Sequence, residues 1–374
     1  MNQADVAVIG AGIAGLAHAY EAARRGYKVV LFERHPRAWG ASGRNFGLIL
    51  PLGLATGLMR LWARRSRKVW RQLAEEAGFW LDPTGVLVAA YHDDELAVLH
   101  EFVEQTDRAE LPCHLLNKLD ALTACRVLRR EKLRGGLFSP TSLVIDPREV
   151  MVSLPAYLAR AYGVTLCYGQ AVTEVELPYL QAGGDIWRVE RAIVCCGSDF
   201  ETLYPDLFCR SDLTRCKLQM LRTEPQPDAW RLGPAVMTGL SLKHYPAFAT
   251  CPSLSTLKQR LAADYPMLEQ WGIHLLAVQN GSGEVILGDS HEYGLAPDPF
   301  DRTEVEELIV AHLRQTLDLP SFYISHRWHG IYAKHQSQDF LIAAPEPDVR
   351  VVAGLGGAGM TISFGLAQDL FEYW

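Results

Sequence analysis

Gly10, Gly12 and Gly15, followed by the carboxylate of Glu33, are the residues of this 374-residue chain whose types and spacing most directly specify a chemistry. They stand in DVAVIGAGIAGLAHAYEAARRGYKVVLFE, where Gly10 permits a tight turn, Gly12 keeps side chains away from an approaching pyrophosphate, and Gly15 lets a helix close on the strands. The helix that begins at Ile13 and Ala14 presents unpaired N–H groups and the positive end of its dipole to the phosphates. Glu33 follows Gly12 by the ~20 residues expected of an acid that accepts a ribose hydroxyl. Together they describe an adenine-dinucleotide site.

A second glycine-rich turn, Gly354, Gly356, Gly357 and Gly359, lies near the other end, with fifteen residues after Gly359. That leaves no second strand and no ribose acid, so this turn is read as completing the site begun at Gly10. A flavin gives the second helix N-terminus a purpose, because its reduced form carries negative charge near N1 and the C2 carbonyl. A nicotinamide has no such need.

These turns require strands and helices to hold them. The fingerprint reads as strand, turn, helix and second strand; the segment Trp39–Asn45 reads as a loop, neither strand nor helix, passing close to the cofactor. Helices are expected over Thr56–Gly78, with Thr56 as N-cap and Gly78 as C-terminal cap, over Asp93–Thr106, and over Asp146–Tyr162 ended by Gly163. Strands are expected at Gly85–Tyr91, Val164–Tyr168, Ala171–Leu177 and Arg188–Gly197. From Leu218 to Ile324 the chain reads as sheet-rich, with a hairpin at Asn280-Gly281 and helices over Thr256–Glu269 and Arg302–Leu317. The closing segment returns to strand, glycine turn and helix.

Composition narrows the class. With 49% hydrophobic and 21% charged residues the chain is an ordinary globular protein of two-domain size. A net charge of -7 argues against a nucleic-acid surface. The basic run Arg60–Arg71 alternates with apolar residues at helical spacing and reads as a solvated helix face. Eight cysteines without a C-x-x-C pair or a His/Cys metal spacing read as reduced, mostly buried thiols, so no metal and a cytoplasmic location are expected. No signal peptide is expected, and no apolar run reaches the ~18 residues of a membrane span.

The chain resembles the flavin-dependent amine oxidoreductases that include D-amino acid oxidase, glycine oxidase and sarcosine oxidase. The resemblance rests on the fingerprint, on GASGRNFG, on VIDPREVM followed by QAVTEV, on AIVCCGSDF, and on VVAGLGGAGMTISFGLA. It implies an α/β fold in which a Rossmann-like FAD-binding domain, residues 1–55, 140–205 and 325–374, is interleaved with a mixed-sheet α+β substrate domain, residues 56–139 and 206–324. Carried over by position, Glu33 and Arg34 would hold the ribose, Ser42, Gly43, Arg44, Asn45 and Gly47 would pass the flavin, and Val172 would touch the adenine end. Cys196 and Gly197 would end a strand beside the cofactor, and Gly356 to Thr361, including Met360, would line the pyrimidine edge. Three departures are plain. Where glycine oxidase-like members carry an arginine for the substrate carboxylate, this chain has Tyr332; where sarcosine oxidases attach flavin through cysteine, it has Gly330; and the strand matching their oxygen-activating lysine reads Val285–Gly288. FAD is therefore expected to be held without a covalent bond, and the electron acceptor is left open between oxygen and another compound.

The family's chemistry needs an uncharged amine held over the flavin, loss of a hydride, and hydrolysis of the imine. Tyr332, Tyr245, His244 or His291 suit the task of keeping the amine deprotonated, and Lys334, with His335 beside it on one segment and Lys243 on another, suits an acidic group. The expected substrate is a small secondary or N-alkylated amine bearing a carboxylate or phosphonate, as in the family's aminophosphonate-linked branch. A primary α-amino acid, a flavin-binding protein without catalysis, and a nicotinamide-fed flavoenzyme stay open as alternatives, as does the oligomeric state.

Overall fold

The apolar run after the N-terminal Met forms a strand, Asn2–Ile9, whose residues Val6, Ala7 and Val8 are fully buried. The computed structural model describes residues 1–374 and places this strand at the centre of an eight-stranded sheet. Val29–Glu33 pairs with it in parallel on one side and Asp185–Val194 on the other. Thr165–Tyr168 continues the parallel order beyond Val29–Glu33, and Val349–Ala353 pairs in parallel with the end of Asp185–Val194. Parallel strands are buried on both faces and read as unbroken apolar runs, which is why VAVI, VVLF and AIV carry so little polarity. One face is covered by helices Ile13–Arg24, Pro147–Tyr162 and Gly359–Glu372; the other by the antiparallel ribbon Val172–Glu176 and Tyr179–Ala182 and the short helix Pro205–Arg210.

Helix Pro147–Tyr162 forms where its signals say: the Asp146 carboxylate accepts the Arg148 N–H at 2.9 Å, Pro147 takes the first position, and Gly163 closes it in the left-handed region. Helix Leu58–Ala77 crosses Gly359–Glu372 at a glycine. A Cβ at Gly365 would stand 2.3 Å from the Trp62 carbonyl. The Trp62 indole donates to Asp369 at 2.6 Å and that of Trp70 to the Met360 carbonyl at 2.8 Å, so the last helix is fixed along its length.

The second sheet has nine strands, mostly antiparallel, and its apolar face packs on helices Asp93–Gln105, Leu254–Asp264 and Thr303–Thr316. Its longest pair joins Leu213–Pro225 to Ile324–His335 from Leu213 opposite His335 to Thr223 opposite Ile324. The hairpin expected at Asn280-Gly281 joins Leu276–Gln279 to Glu284–Gly288. At its far end, strand Ile324–His335 touches the first sheet's closing turn through a bridge between Lys334 and Leu355. The expected domain boundary at residue 325 falls inside this strand, whose hydrogen bonds belong to the second sheet.

Several local expectations change. Gly57, at φ 104°, is the N-cap of the first long helix in place of Thr56, and that end has no side-chain cap. The basic run is not uniformly solvated: Arg60 is buried, with Nε donating to the Leu54 carbonyl, and Arg67 donates to Thr141. The helix expected over Thr256–Glu269 breaks into Leu254–Asp264 and Pro266–Gln270, because Pro266 has no N–H to continue the ladder. The loop near residue 40 holds a single 3-10 turn, Ala41–Gly43. All eight cysteines are free, six of them buried.

Candidate active site

The turn after the first strand is built by contacts that exclude side chains. Gly10 has φ +103°, and a Cβ there would stand 2.4 Å from the Cys195 carbonyl; a Cβ on Gly15 would stand 1.8 Å from the Gly10 carbonyl. The first helix therefore starts in contact with two strand ends. Glu33 Oε2 accepts the Ala11 N–H at 3.1 Å and Ser42 Oγ accepts the Ile13 N–H at 2.9 Å, so the acid and the loop hydroxyl both hold this turn.

Beside it opens a cavity of about 500 Å³. Gly10, Gly12, Ile13, Ala14, Glu33, Arg34 and Ser42 belong to one part of its wall; Val172, Cys196, Gly197, Gly354, Gly356 and Gly359 belong to another. Arg34 is paired with Asp199 at its rim. Two smaller spaces, about 150 and 190 Å³, continue from it, with Tyr332 and Gly356 lining all three. Arg44, Asn45, Gly357 and Met360 line the continuation; Thr361 lines its inner side, where its hydroxyl accepts the Leu50 N–H at 3.0 Å. Gly15, Gly43 and Gly47 line none of these spaces: they pack against Gly10, Trp39 and Ile145. Gly47 sits at φ +73° with its N–H donated to Asn45 Oδ1 at 2.7 Å, which sets the loop's course.

The continuation ends on the second sheet. Tyr332 stands on strand Ile324–His335, His244 and Tyr245 follow a 3-10 turn at Gly239–Lys243, and His274, Asp289 and His291 flank the Leu276–Gln279/Glu284–Gly288 hairpin. Burial pushes the Tyr332 and Tyr245 hydroxyls above the usual phenol range. It holds His244 and His274 well below the ordinary imidazole value, where neighbouring imidazoles and lysines act in the same direction, and His291 down to about 4, where the lysines add to burial and the Gly272 carbonyl opposes it. At neutral pH these are uncharged rings and hydroxyls. The nearby cations are Lys334, whose ammonium rests 5.5 Å from the Tyr293 ring centroid, and Arg44, which reaches the His329 carbonyl at 3.3 Å. Lys243 is engaged by Glu269, and His335 is buried with Nδ1 accepting the Gln338 N–H at 3.1 Å, so neither supplies a free group.

Sequence reading brings together both glycine turns, Tyr332, His244, Tyr245 and Lys334. It does not reach His274 or Asp289, which stand in different segments and carry no local pattern.

An extended space that begins at Glu33, passes two helix N-termini and ends under a second sheet, with wall glycines such as Gly357 that face open space, fits an FAD. The sequence model of a family described as FAD dependent oxidoreductase matches residues 5–373. The chain belongs to this family. FAD is accordingly the cofactor of this oxidoreductase. Its fold is similar to that of glycine oxidase from Geobacillus kaustophilus, with a TM-score of 0.77 and 19% identity over 100% of this chain and 95% of that one. It is also similar to FAD-bound L-alpha-glycerophosphate oxidase from Mycoplasma pneumoniae, with a TM-score of 0.78 and 18% identity over 100% and 96%. Iminodiacetate oxidase from Chelativorans sp. BNC1 has a TM-score of 0.69 and 18% identity over 97% and 93%. In sequence, the oxidoreductase is 33% identical over 189 residues, 48% of this chain, to the tRNA 5-methylaminomethyl-2-thiouridine biosynthesis bifunctional protein MnmC of Burkholderia thailandensis. That match spans 27% of the relative's length. No helix is long and apolar enough to cross a membrane.

Proposed function

We propose that this oxidoreductase oxidises the C–N bond of a small secondary or N-alkylated amine that carries a carboxylate or phosphonate. The observation behind the reading is the polarity of the space below Tyr332: its inner surface is phenol, uncharged imidazole and apolar side chains, with one carboxyl, Asp289, that burial raises well above its usual range, and its cations, Lys334 and Arg44, stand toward the rim. FAD, when bound, takes up the hydride from the carbon beside the nitrogen.

The chain's own residues do the rest. Lys334 and Arg44 attract the acid group and set which end of the ligand enters. A cationic field and a poorly hydrated floor both disfavour an ammonium, so the amine enters without its extra proton. Tyr332, on the wall common to all three spaces, orients the amine by its hydroxyl, and its packed strand keeps bulk water away until the imine leaves and hydrolyses to an aldehyde and an amine. Support of a coarser kind comes from the relatives: iminodiacetate oxidase is named for a secondary amine diacid, and MnmC for a methylaminomethyl group.

The test is anaerobic bleaching of the flavin by N-methylglycine, glycine, D-alanine and N-methylaminoethylphosphonate at matched concentration. The N-methylated acids should be fastest. Lys334→Met should raise KM for them about tenfold or more, the worth of one charge-assisted contact of ~1.5–3 kcal/mol. Fastest reduction by glycine or D-alanine, with Lys334→Met and Tyr332→Phe both silent, overturns the assignment.

A further inference from the structure

Three histidines and one aspartate meet on the floor of the active-site cavity. The His274 and His291 rings stack at 4.9 Å between centroids, and His244 lies 3.8 Å from the first and 4.5 Å from the second. One ring nitrogen from each falls within 4.8 Å of the others. Asp289, 5% exposed, brings Oδ1 to 3.2 Å from His274 Nε2 and Oδ2 to 3.9 Å from His291 Nε2.

Hydrogen-bond partners assign the protons. His291 Nδ1 lies 3.1 Å from the Gly272 carbonyl, which can only accept, so Nδ1 carries the hydrogen and Nε2 presents a lone pair. Ser241 Oγ lies 3.2 Å from the Leu275 carbonyl and 3.3 Å from His274 Nδ1, and when its hydrogen goes to the carbonyl it accepts from Nδ1. His274 Nε2 is then a lone pair as well. Both lone pairs face a carboxylate whose Oδ1 is buried without any hydrogen bond, the 3.2 Å approach being out of line for one. Lone pairs gathered on lone pairs repel unless a proton or a cation sits among them; burial raises the Asp289 carboxyl well above its usual range, and no lysine or arginine ion-pairs with it. The scaffold does not let them part: the His274 and Asp289 backbones exchange N–H···O bonds at 2.9 and 3.2 Å, and the His291 N–H is held by the Trp271 carbonyl at 2.9 Å.

We propose that His244, His274, His291 and Asp289 bind a divalent first-row transition cation of the zinc type. Imidazole nitrogens with one carboxylate form the donor set such ions prefer, and ring N–H groups fixed outward on a carbonyl and a hydroxyl are the supports that orient metal-binding histidines. The site draws ligands from three separate segments, so no spacing motif announces it. The proposal does not depend on which amine is oxidised.

The experiment uses the flavin-loaded protein, stripped with chelator and dialysed to equilibrium against zinc, with metal per chain measured by atomic emission and flavin by absorbance. One zinc per chain is expected, with a rise in Tm. His274→Asn and Asp289→Asn should each weaken binding at least ~10-fold while flavin content stays the same. X-ray absorption of zinc-loaded wild-type protein should show imidazole scattering from about three rings, a readout that needs no variant. Absence of stoichiometric zinc, or a spectrum dominated by water and carboxylate oxygen, overturns the proposal and leaves a shared proton as the positive charge in the cluster.

Discussion

Gly12 and Gly15 make a paired test of how the first turn works. Alanine at Gly15 puts a Cβ 1.8 Å from the Gly10 carbonyl oxygen and 3.3 Å from Val8 Cγ1. A tolerable C···O contact is about 3.3 Å, so helix Ile13–Arg24 must withdraw by roughly 1.5 Å from the strand it caps. Overpacking of this kind costs about 1–3 kcal/mol, and it also draws the helix N-terminus away from the phosphates. Alanine at Gly12 is different. Its backbone, φ -67° and ψ 174°, accepts any residue, and the new Cβ meets only Ser42 Oγ at 3.2 Å, so the fold should be nearly indifferent while the methyl occupies the cofactor's side of the turn. Thermal melts of the flavin-free forms, with FAD titrations followed by fluorescence quenching, separate the two. Gly15→Ala should lose both Tm and FAD affinity; Gly12→Ala should lose affinity alone, by about tenfold or more. A Gly12→Ala protein as yellow as wild type, or a Gly15→Ala protein with unchanged Tm, would refute the reasoning.

Acid precipitation should release all the flavin as free FAD, because Gly330 offers no thiol; flavin retained on the pellet contradicts this. His18 is fully buried with its pKa held down to about 4 by desolvation, so it stabilises the fold in full above its unfolded value near 6.5 and progressively less as pH falls from there to 4. The loss should reach about 3 kcal/mol, and His18→Asn should flatten Tm against pH in that window. We also propose that residues 1–55, 140–205 and about 336–374 form the cofactor-binding unit; limited proteolysis should then give no stable flavin-bound fragment confined to the first half of the chain.

The parts of the fold that can be read from sequence are those in which local and tertiary demands agree. Asp146, Pro147 and Gly163 cap the helix they announce, and both glycine turns fall at strand-to-helix junctions. Gly135–Ser139 passes unnoticed because GGLFS has no alternation, and only its neighbours Val86–Ala90 and His114–Asn117 make it a strand. Arg60 resembles a surface charge until Leu54 and Glu110 close over it, the latter at 3.8 Å. The same limit governs the site. Gly10 and Gly356 are legible because a backbone conformation demands them, whereas His274 becomes a neighbour of His244 only when a hairpin and a 3-10 turn are brought side by side.

Strand Val349–Ala353 takes its place next to Asp185–Val194, and the turn that follows faces the turn at Gly10. A growing polypeptide emerges from the ribosome with its first turn long before its last. The nascent chain therefore spends most of its synthesis with one half of a cofactor cradle and an open sheet edge beside Asp185–Val194. Vitamin-derived cofactor can lock in place only after the helix Gly359–Glu372 has been translated, so uptake of colour reports that synthesis has passed this helix. Frameshifted or prematurely terminated products should emerge colourless and, with that edge uncovered, be the ones that quality-control proteases remove.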